Sequence, residues 1–401
     1  MKFRIILLLF LLVIGPNAWS QKKVISAAMD NVKKGTSLDK AEQSMLDLLK
    51  DSANLHNSKI WDVLFESQRK QYEQGNEKLY LKQQYDTASL FNIASRMFTV
   101  MERYDSIDAL PDKKGHVKLK YRKDNSTFLN VVRPNLYTGG RFFIHKQKYS
   151  DAYRLLDQYI GTAYQPLFSA FQYAQKDKQM SEAGYWAVYA GYKSKDAGKV
   201  MKYATLALKD SVHYEMVLQY LCETYQQQKD TANYYRTLNE GFDRYPLSPF
   251  FYSYLIEYYS RQGKWEDALR LTDRALSVDS TVQFFHVTKS TLLLNQGDYK
   301  ESYAISDSLL QKNDSLPEAN LNAGLAKFNE GVKLDKAVQS PKQRRAILKL
   351  YQESLPYLEK YRTLRPDRKD AWGLPLYTIY LNLNMGKKFD EIDELMKKQK
   401  K

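Results

Sequence analysis

Stretches of this chain recur at an interval of 34 residues, and nothing else restricts its possible folds as strongly. RQGKWEDALRLTDRALSVDS, Arg261 to Ser280, aligns without a gap on NQGDYKESYAISDSLLQKND, Asn295 to Asp314. Gly263 falls on Gly297, Trp265 on Tyr299, Ala268 on Ser302 and Ala275 on Leu309. One interval back, Lys229-Asp230 takes the place of the glycine turn and Gly241 takes the second small position. A further interval back gives Lys195-Asp196 and Ala207. Self-similarity at a fixed period is the mark of a stacked repeat.

Each unit carries two amphipathic helices. In PFFYSYLIEYYSRQ, Tyr252, Leu255, Ile256 and Tyr259 recur at three-and-four spacing. Trp265, Ala268, Leu269, Thr272, Ala275 and Leu276 do the same in the second helix. Gly263 stands between them, where a left-handed turn costs least. Ser248-Pro249 opens the first helix, serine as a cap and proline at the first helical position. Leu316-Pro317 repeats the proline one unit later. Ala268 and Ala275 are small where two helices must approach closely. A single pair cannot bury its apolar faces, so neighbouring pairs must stack.

With that period and these positions, the chain resembles the tetratricopeptide repeat family. The resemblance implies an all-α fold, a right-handed α-solenoid of stacked antiparallel helix pairs. It also implies a protein partner, held as an extended segment or helix in a concave groove lined by the first helices. Carried over position by position, the groove residues are Tyr185, Tyr189 and Tyr192; Gln219, Glu223 and Gln226; Ser253, Glu257 and Ser260; Val287, Thr291 and Leu294; and Leu321, Leu325 and Phe328. The lining reads as a tyrosine patch, a polar middle with two carboxylates, and an apolar end. The Lys/Asn clamp of chaperone-binding members is absent, which argues against capture of a C-terminal carboxylate.

The array is expected over 131–386. NLYTGGRFFIHKQKYSDAYRLLDQYI supplies an earlier unit, with Gly140 in its small slot. Two insertions interrupt the period: TAYQPLFSAFQYAQ near 162–175, as a lengthened or added helix, and a second near 330–347, where the first helix is expected to run on through Lys333 and Ala337 before LKLYQESLPYLEKYRTLRPD supplies the second. A last pair starts at Ala371, with Trp372, Leu376, Ile379 and Leu383 on its apolar face, then Gly386 as the turn before a short helix with Phe389, Ile392 and Leu395. Residues 387–401 form a C-terminal helix and basic tail. Residues 21–107 are amphipathic helices that match the repeat poorly and read as a diverged cap. Residues 108–130 read as a basic loop; within it Val117, Leu119 and Tyr121 alternate with Lys118, Lys120 and Arg122.

Residues 1–20 read as a secretory signal peptide: Lys2 and Arg4, ten apolar residues from Ile5 to Ile14, then small residues at Ala18 and Ser20. Cleavage is expected between Ser20 and Gln21. No cysteine follows the apolar run, so no lipoprotein anchor is expected, and no second run of about 18 apolar residues offers a membrane span. The expected compartment is the periplasm of a Gram-negative bacterium, or the outside of the cell. Cys222 is the only cysteine, so an internal disulfide is impossible. The formal charge of +15 falls to +13 without Lys2 and Arg4. That excess favours acidic surfaces; an exported chain rarely meets nucleic acid. An alternative role follows, a binding module for an anionic polymer or lipid surface through the basic loop and tail.

No enzyme is expected, and no cofactor or metal. His56, His116, His145, His213 and His286 lie far apart, without helical metal-ligand spacing. No phosphate loop, dinucleotide fingerprint or nucleophile elbow is present. Trp186, Trp265 and Trp372 read as core, and Cys222 as a buried thiol. Asp followed by Ser or Thr and then an apolar residue or Thr recurs, at Asp51-Ser52, Asp86-Thr87, Asp105-Ser106, Asp210-Ser211, Asp230-Thr231, Asp279-Ser280, Asp307-Ser308 and Asp314-Ser315. The pattern is similar to the acceptor sequence of a general O-glycosylation system in some Gram-negative bacteria; plain capping chemistry also accounts for it.

Overall fold

The computed structural model describes residues 15–112, 114–335 and 340–397, with side chains from Gln21 onward. The apolar run of the expected signal and the last residues of the basic tail lie outside the described residues. Among the described residues every regular element is a helix. The chain divides into two compact units, 1–234 and 235–401.

Unit one contains α1 (Gly15–Lys34), α2 (Leu38–Leu48), α3 (Ser58–Tyr80), α4 (Thr87–Asp108), α5 (Arg122–Val132), α6 (Pro134–His145) and α7 (Tyr149–Gly161). It continues through α8 (Tyr173–Lys176), α9 (Met180–Lys193), α10 (Ala197–Ala207) and α11 (Tyr214–Gln227). The unit boundary falls inside α12 (Thr231–Arg244). Unit two holds α13 (Pro249–Arg261), α14 (Trp265–Val278), α15 (Gln283–Gln296), α16 (Tyr299–Lys312), α17 (Pro317–Asp335), α18 (Pro341–Leu364), α19 (Lys369–Asn382) and α20 (Gly386–Lys397). Within each unit, hairpins such as α6/α7, α9/α10, α15/α16 and α17/α18 pack pair on pair, the first helix of one against the second helix of the pair before. That is the stacking of tetratricopeptide helix pairs.

The period survives in the backbone. Lys195, Lys229, Gly263 and Gly297, each 34 residues from the next, all take positive φ (55°, 59°, 66° and 94°). Each closes its first helix in the same way. The N–H of Gly263 donates to the carbonyl of Ser260 at 3.1 Å, and that of Lys264 to Tyr259 at 2.9 Å. At Gly297 and Asp298 the matching bonds run to Leu294 and Leu293, at 3.2 and 2.9 Å. These are left-handed helix caps that satisfy the last carbonyls of the helix. The small slots behave as their spacing demands: Ala268 and Ala275 are fully buried, and a Cβ on Gly241 would collide with the Phe251 ring. Pro249 occupies the first turn of α13, but Ser248 makes no side-chain cap there. Its carbonyl starts the helix instead, accepting from Tyr252 N–H at 3.2 Å.

Two expectations need correction, at the first insertion and at the basic loop. The insertion near 162–175 is not a long helix. It forms two 3-10 segments, Thr162–Tyr164 and Pro166–Phe171, and the single turn α8. Pro166 lacks the N–H that would have continued α7. The second insertion lengthens two helices, α17 and α18. The next left-handed residue would be Gly331, but it lies inside α17, facing Tyr351. Ser340 restarts the chain with a capping box to Gln343. In the expected basic loop, residues from Arg122 onward are helical. Arg122 pairs with both oxygens of buried Asp105 at 2.8 Å, which holds the start of α5 on α4. The remainder folds into a turn in which the Asp112 carboxylate accepts from Lys114 and His116 N–H, so the alternation at Val117 to Tyr121 builds no strand.

Candidate functional site

Relative to the left-handed turn residue, the candidate groove positions are the tenth, sixth and third before it. In unit one they fall on α9 and α11. Tyr185 is core: only 6% exposed, it stacks on the His213 ring at 3.9 Å and meets Trp186 edge-on. Burial pushes its phenol pKa up. Tyr189 and Tyr192 are half-buried and pack on Tyr220, at 5.8 and 4.5 Å between ring centres. The Tyr192 hydroxyl donates to Glu223 at 2.5 Å, so the carboxylate and the tyrosine patch form one assembly. Gln219 donates to Glu215 at 3.2 Å. Gln226 is exposed. Lys193 lies 5.5 Å over the Tyr189 ring and 5.7 Å over Tyr192. The patch is an aromatic wall with cationic and carboxylate groups at its edge, with Tyr185 behind it as support.

In unit two the same positions fall on α13, α15, α17 and α19. Ser253 and Glu257 are exposed, Ser260 half-buried, and Glu257 pairs with Arg261 one turn on. Val287 and Thr291 are half-buried and Leu294 is buried. Thr291 and Ser290 accept from the Asn322 amide at 2.8 and 2.7 Å, a buried clamp that sets α15 against α17. Leu321 and Leu325 are half-buried on α17. Phe328 is core, stacked on Tyr351 at 5.6 Å. The lengthening of α17 explains its burial, since the facing stretch of α18 covers it.

One pair of residues escaped the sequence reading. Asn384 is the left-handed residue of the last pair, with φ 57° and the same closing bonds, from its own N–H to Leu381 and from Met385 to Tyr380. Counting back from it gives Leu374, Thr378 and Leu381. Leu374 is 62% exposed and Leu381 53%. These are among the most exposed large apolar side chains in the unit, and they sit on the helix next to Leu321 and Leu325. Gly386 had drawn attention as the turn, two residues late, which rotates the count off this face. Asparagine tolerates the left-handed region better than other non-glycine residues, and that was the available signal.

The remaining candidates have structural settings. Cys222 is fully buried and Trp372 is buried, its indole N–H donating to the Arg365 carbonyl. His145 is exposed. His213 bonds the Asp210 carboxylate at 2.7 Å and is covered by Tyr185. At Asp51, Asp86, Asp210, Asp230 and Asp279 the carboxylate accepts a backbone N–H two or three residues on, as capping requires. Among the described residues no three His, Cys, Asp or Glu side chains converge as a metal site. No described helix is long and apolar enough to cross a membrane.

No family model matches the sequence, and no curated protein matches it. Among solved structures the chain is similar to PilW, a type IV pilus biogenesis factor, at 16% identity over 55% of this chain and 93% of that one, with a TM-score of 0.37. It is similar to the TPR domain of P58(IPK) at 12% identity, over 100% and 99% of the two chains, with a TM-score of 0.26. Yeast Tom70 is similar at 12% identity over 88% and 81%, with a TM-score of 0.30. At such scores, what those proteins do has no bearing on this chain.

Proposed function

We propose that this chain is a non-enzymatic protein-interaction scaffold, exported to the cell envelope, that holds a partner segment against its first helices. The observation that carries this reading is the exposure of Leu374 and Leu381 at groove positions, beside half-buried Leu321 and Leu325. Two leucines seven residues apart on one helix face offer a partner apolar contacts two turns apart. Export is supported by the pattern of residues 1–20.

The test is position-resolved. A photo-crosslinking residue placed at Leu374 or Leu381 is expected to label one discrete envelope protein in living cells. The same residue at Gln352, exposed on the second helix α18, is expected not to label it. Equal labelling from Gln352, or none from α19, overturns the reading. Leu374→Asp with Leu381→Asp is expected to abolish the crosslink while leaving stability within about 0.5 kcal/mol, because the substituted side chains are exposed. Tyr185 is unsuitable as a probe, since its removal would open the core.

A second reading rests on the loop before α5. Leu110, Val117 and Leu119 are 53%, 52% and 41% exposed, and Lys114, Lys118 and Lys120 are exposed among them. Apolar tips between lysines suit an anionic lipid surface. Sedimentation with phosphatidylglycerol vesicles is expected at low salt and lost by moderate ionic strength; no sedimentation at low salt excludes it.

A further inference from the structure

A polar cleft of about 410 Å³ opens between α4 and α7, the latter the second helix of its pair. None of the candidate groove positions lines it. Ser95, Thr99 and Glu102 line it from one face of α4, and Arg154, Asp157 and Gln158 from α7. The two helices are joined at one end of the cleft. Ser95 donates to Gln158 at 2.7 Å, and the Gln158 amide reaches the Ser95 carbonyl at 3.0 Å.

Every charged group lining this cleft is engaged, except one. Arg96 pairs with Glu42 at 2.8 Å. Arg154 donates to Asn92 and Ser95, both at 2.6 Å, and lies 3.8 Å from Asp151. Asp157 accepts from Lys202 and from the Tyr203 hydroxyl, at 2.5 and 2.6 Å. Glu102 is half-buried, and no described residue gives its carboxyl a hydrogen bond or an ion pair. Burial alone acts on it, pushing its pKa up to about 7. A half-buried carboxylate without a donor is unfavourable, and a cation delivered to it would relieve the cost.

We propose that this cleft binds a cationic group, an ammonium or guanidinium, seated against the carboxylate of Glu102. The hydroxyl of Thr99 and the side chains of Gln158 and Gln165 line the same cleft and supply neutral polar contacts around it. The group could be carried by a basic side chain of a polypeptide or by a free polyamine; both present the same chemistry to Glu102. Binding draws the ionised form of Glu102, so a proton leaves the carboxyl as the cation arrives. Arg96 on the same helix and Arg154 opposite remain with their own partners, and Asp157 with Lys202.

The experiment uses the full chain labelled with ¹³C at glutamate carboxyls. A capped tripeptide with a central lysine, its acetyl-lysine counterpart and spermidine are titrated separately at pH 5.5 and 8. Affinity for the lysine peptide or spermidine is expected to rise by up to about thirtyfold between the two pH values, as a carboxyl of pKa about 7 ionises. The acetyl-lysine peptide is expected not to bind, and the Glu102 resonance is expected to titrate at lower pH when the cation is present. Glu102→Gln, the near-isosteric neutral variant, is expected to fold and to lose the pH dependence together with most of the affinity. Binding of the peptide identifies a polypeptide source, and binding of spermidine alone a free amine. Binding unchanged by Glu102→Gln, or an unmoved Glu102 resonance, overturns the proposal. Failure of neither crosslinking position on α19 bears on this cleft, so the two readings stand or fall separately.

Discussion

Arg133→Ala is expected to be the most damaging single substitution in unit one, at about 3–5 kcal/mol, the usual cost of removing one member of a buried ion pair. Arg133 is 5% exposed and stands between α5 and α6. Its guanidinium pairs with Asp177 at 2.7 Å and donates to the Thr162 hydroxyl at 2.7 Å and the Tyr159 carbonyl at 3.2 Å. It also lies 3.8 Å from each of the Tyr159 and Tyr173 ring centres. One side chain thus fastens the irregular segment between α7 and α9 to the start of α6. Its removal leaves the Asp177 carboxylate without its counter-charge, held only by the Tyr159 hydroxyl and the Gln179 N–H, and opens the space between two rings. Arg133→Lys keeps the charge but loses the planar fork and much of the ring stacking, so an intermediate loss is expected. Hydrogen exchange is the suitable measurement, because a chain of two units need not unfold in one step. Amides of α6 and α7 should lose protection in Arg133→Ala while those of α15 to α20 keep theirs; unchanged protection in α6 would refute the assignment.

Glu42→Ala is expected to cost about 3 kcal/mol and to remove a pH dependence. Glu42 is 6% exposed on α2. Burial by itself raises its pKa, but donors from three residues outweigh it: Arg96 at 2.8 and 3.2 Å, Gln68 at 2.9 Å and Gln71 at 2.7 Å. The net direction is downward from the ordinary 4.5. A carboxyl with a lower pKa in the folded state contributes stability that is complete above the unfolded value and fades as pH falls through the folded one. The stability gap between the native chain and Glu42→Gln should therefore be constant near neutrality and shrink below pH 4.5. A gap that stays constant to pH 2.5 would show that charge has no part in holding α2 to α3 and α4.

The paired helices were legible because the period binds several residues at once. A glycine at 263, an aromatic two residues later and alanines at 268 and 275 leave few alternatives to a close-packed hairpin. Lysines at 195 and 229 take the same backbone geometry as the glycines, yet their identity does not announce it; only the interval does. The lengthening of α17 was half legible: the apolar pattern continued, but Gly331 sat where a turn belonged. Packing against Tyr351 kept that glycine helical, and such tertiary contacts do not show in local pattern. The candidate groove was legible as a register but not as a surface. Spacing put Tyr185 and Phe328 on it without revealing what covers them, and a turn misplaced by two residues hid Leu374 and Leu381.

The left-handed caps at Gly263 and Gly297 are built alike, with one whole hairpin between them. Excision of residues 264–297 would splice Gly263 to Asp298 and restore a junction of the same shape. The hairpin is accordingly the unit in which this chain can be lengthened or shortened without disturbing its turns. Loss of two residues inside a helix would instead swing every later side chain in it around the axis by about 200°, so that buried tyrosines and solvated lysines exchange places.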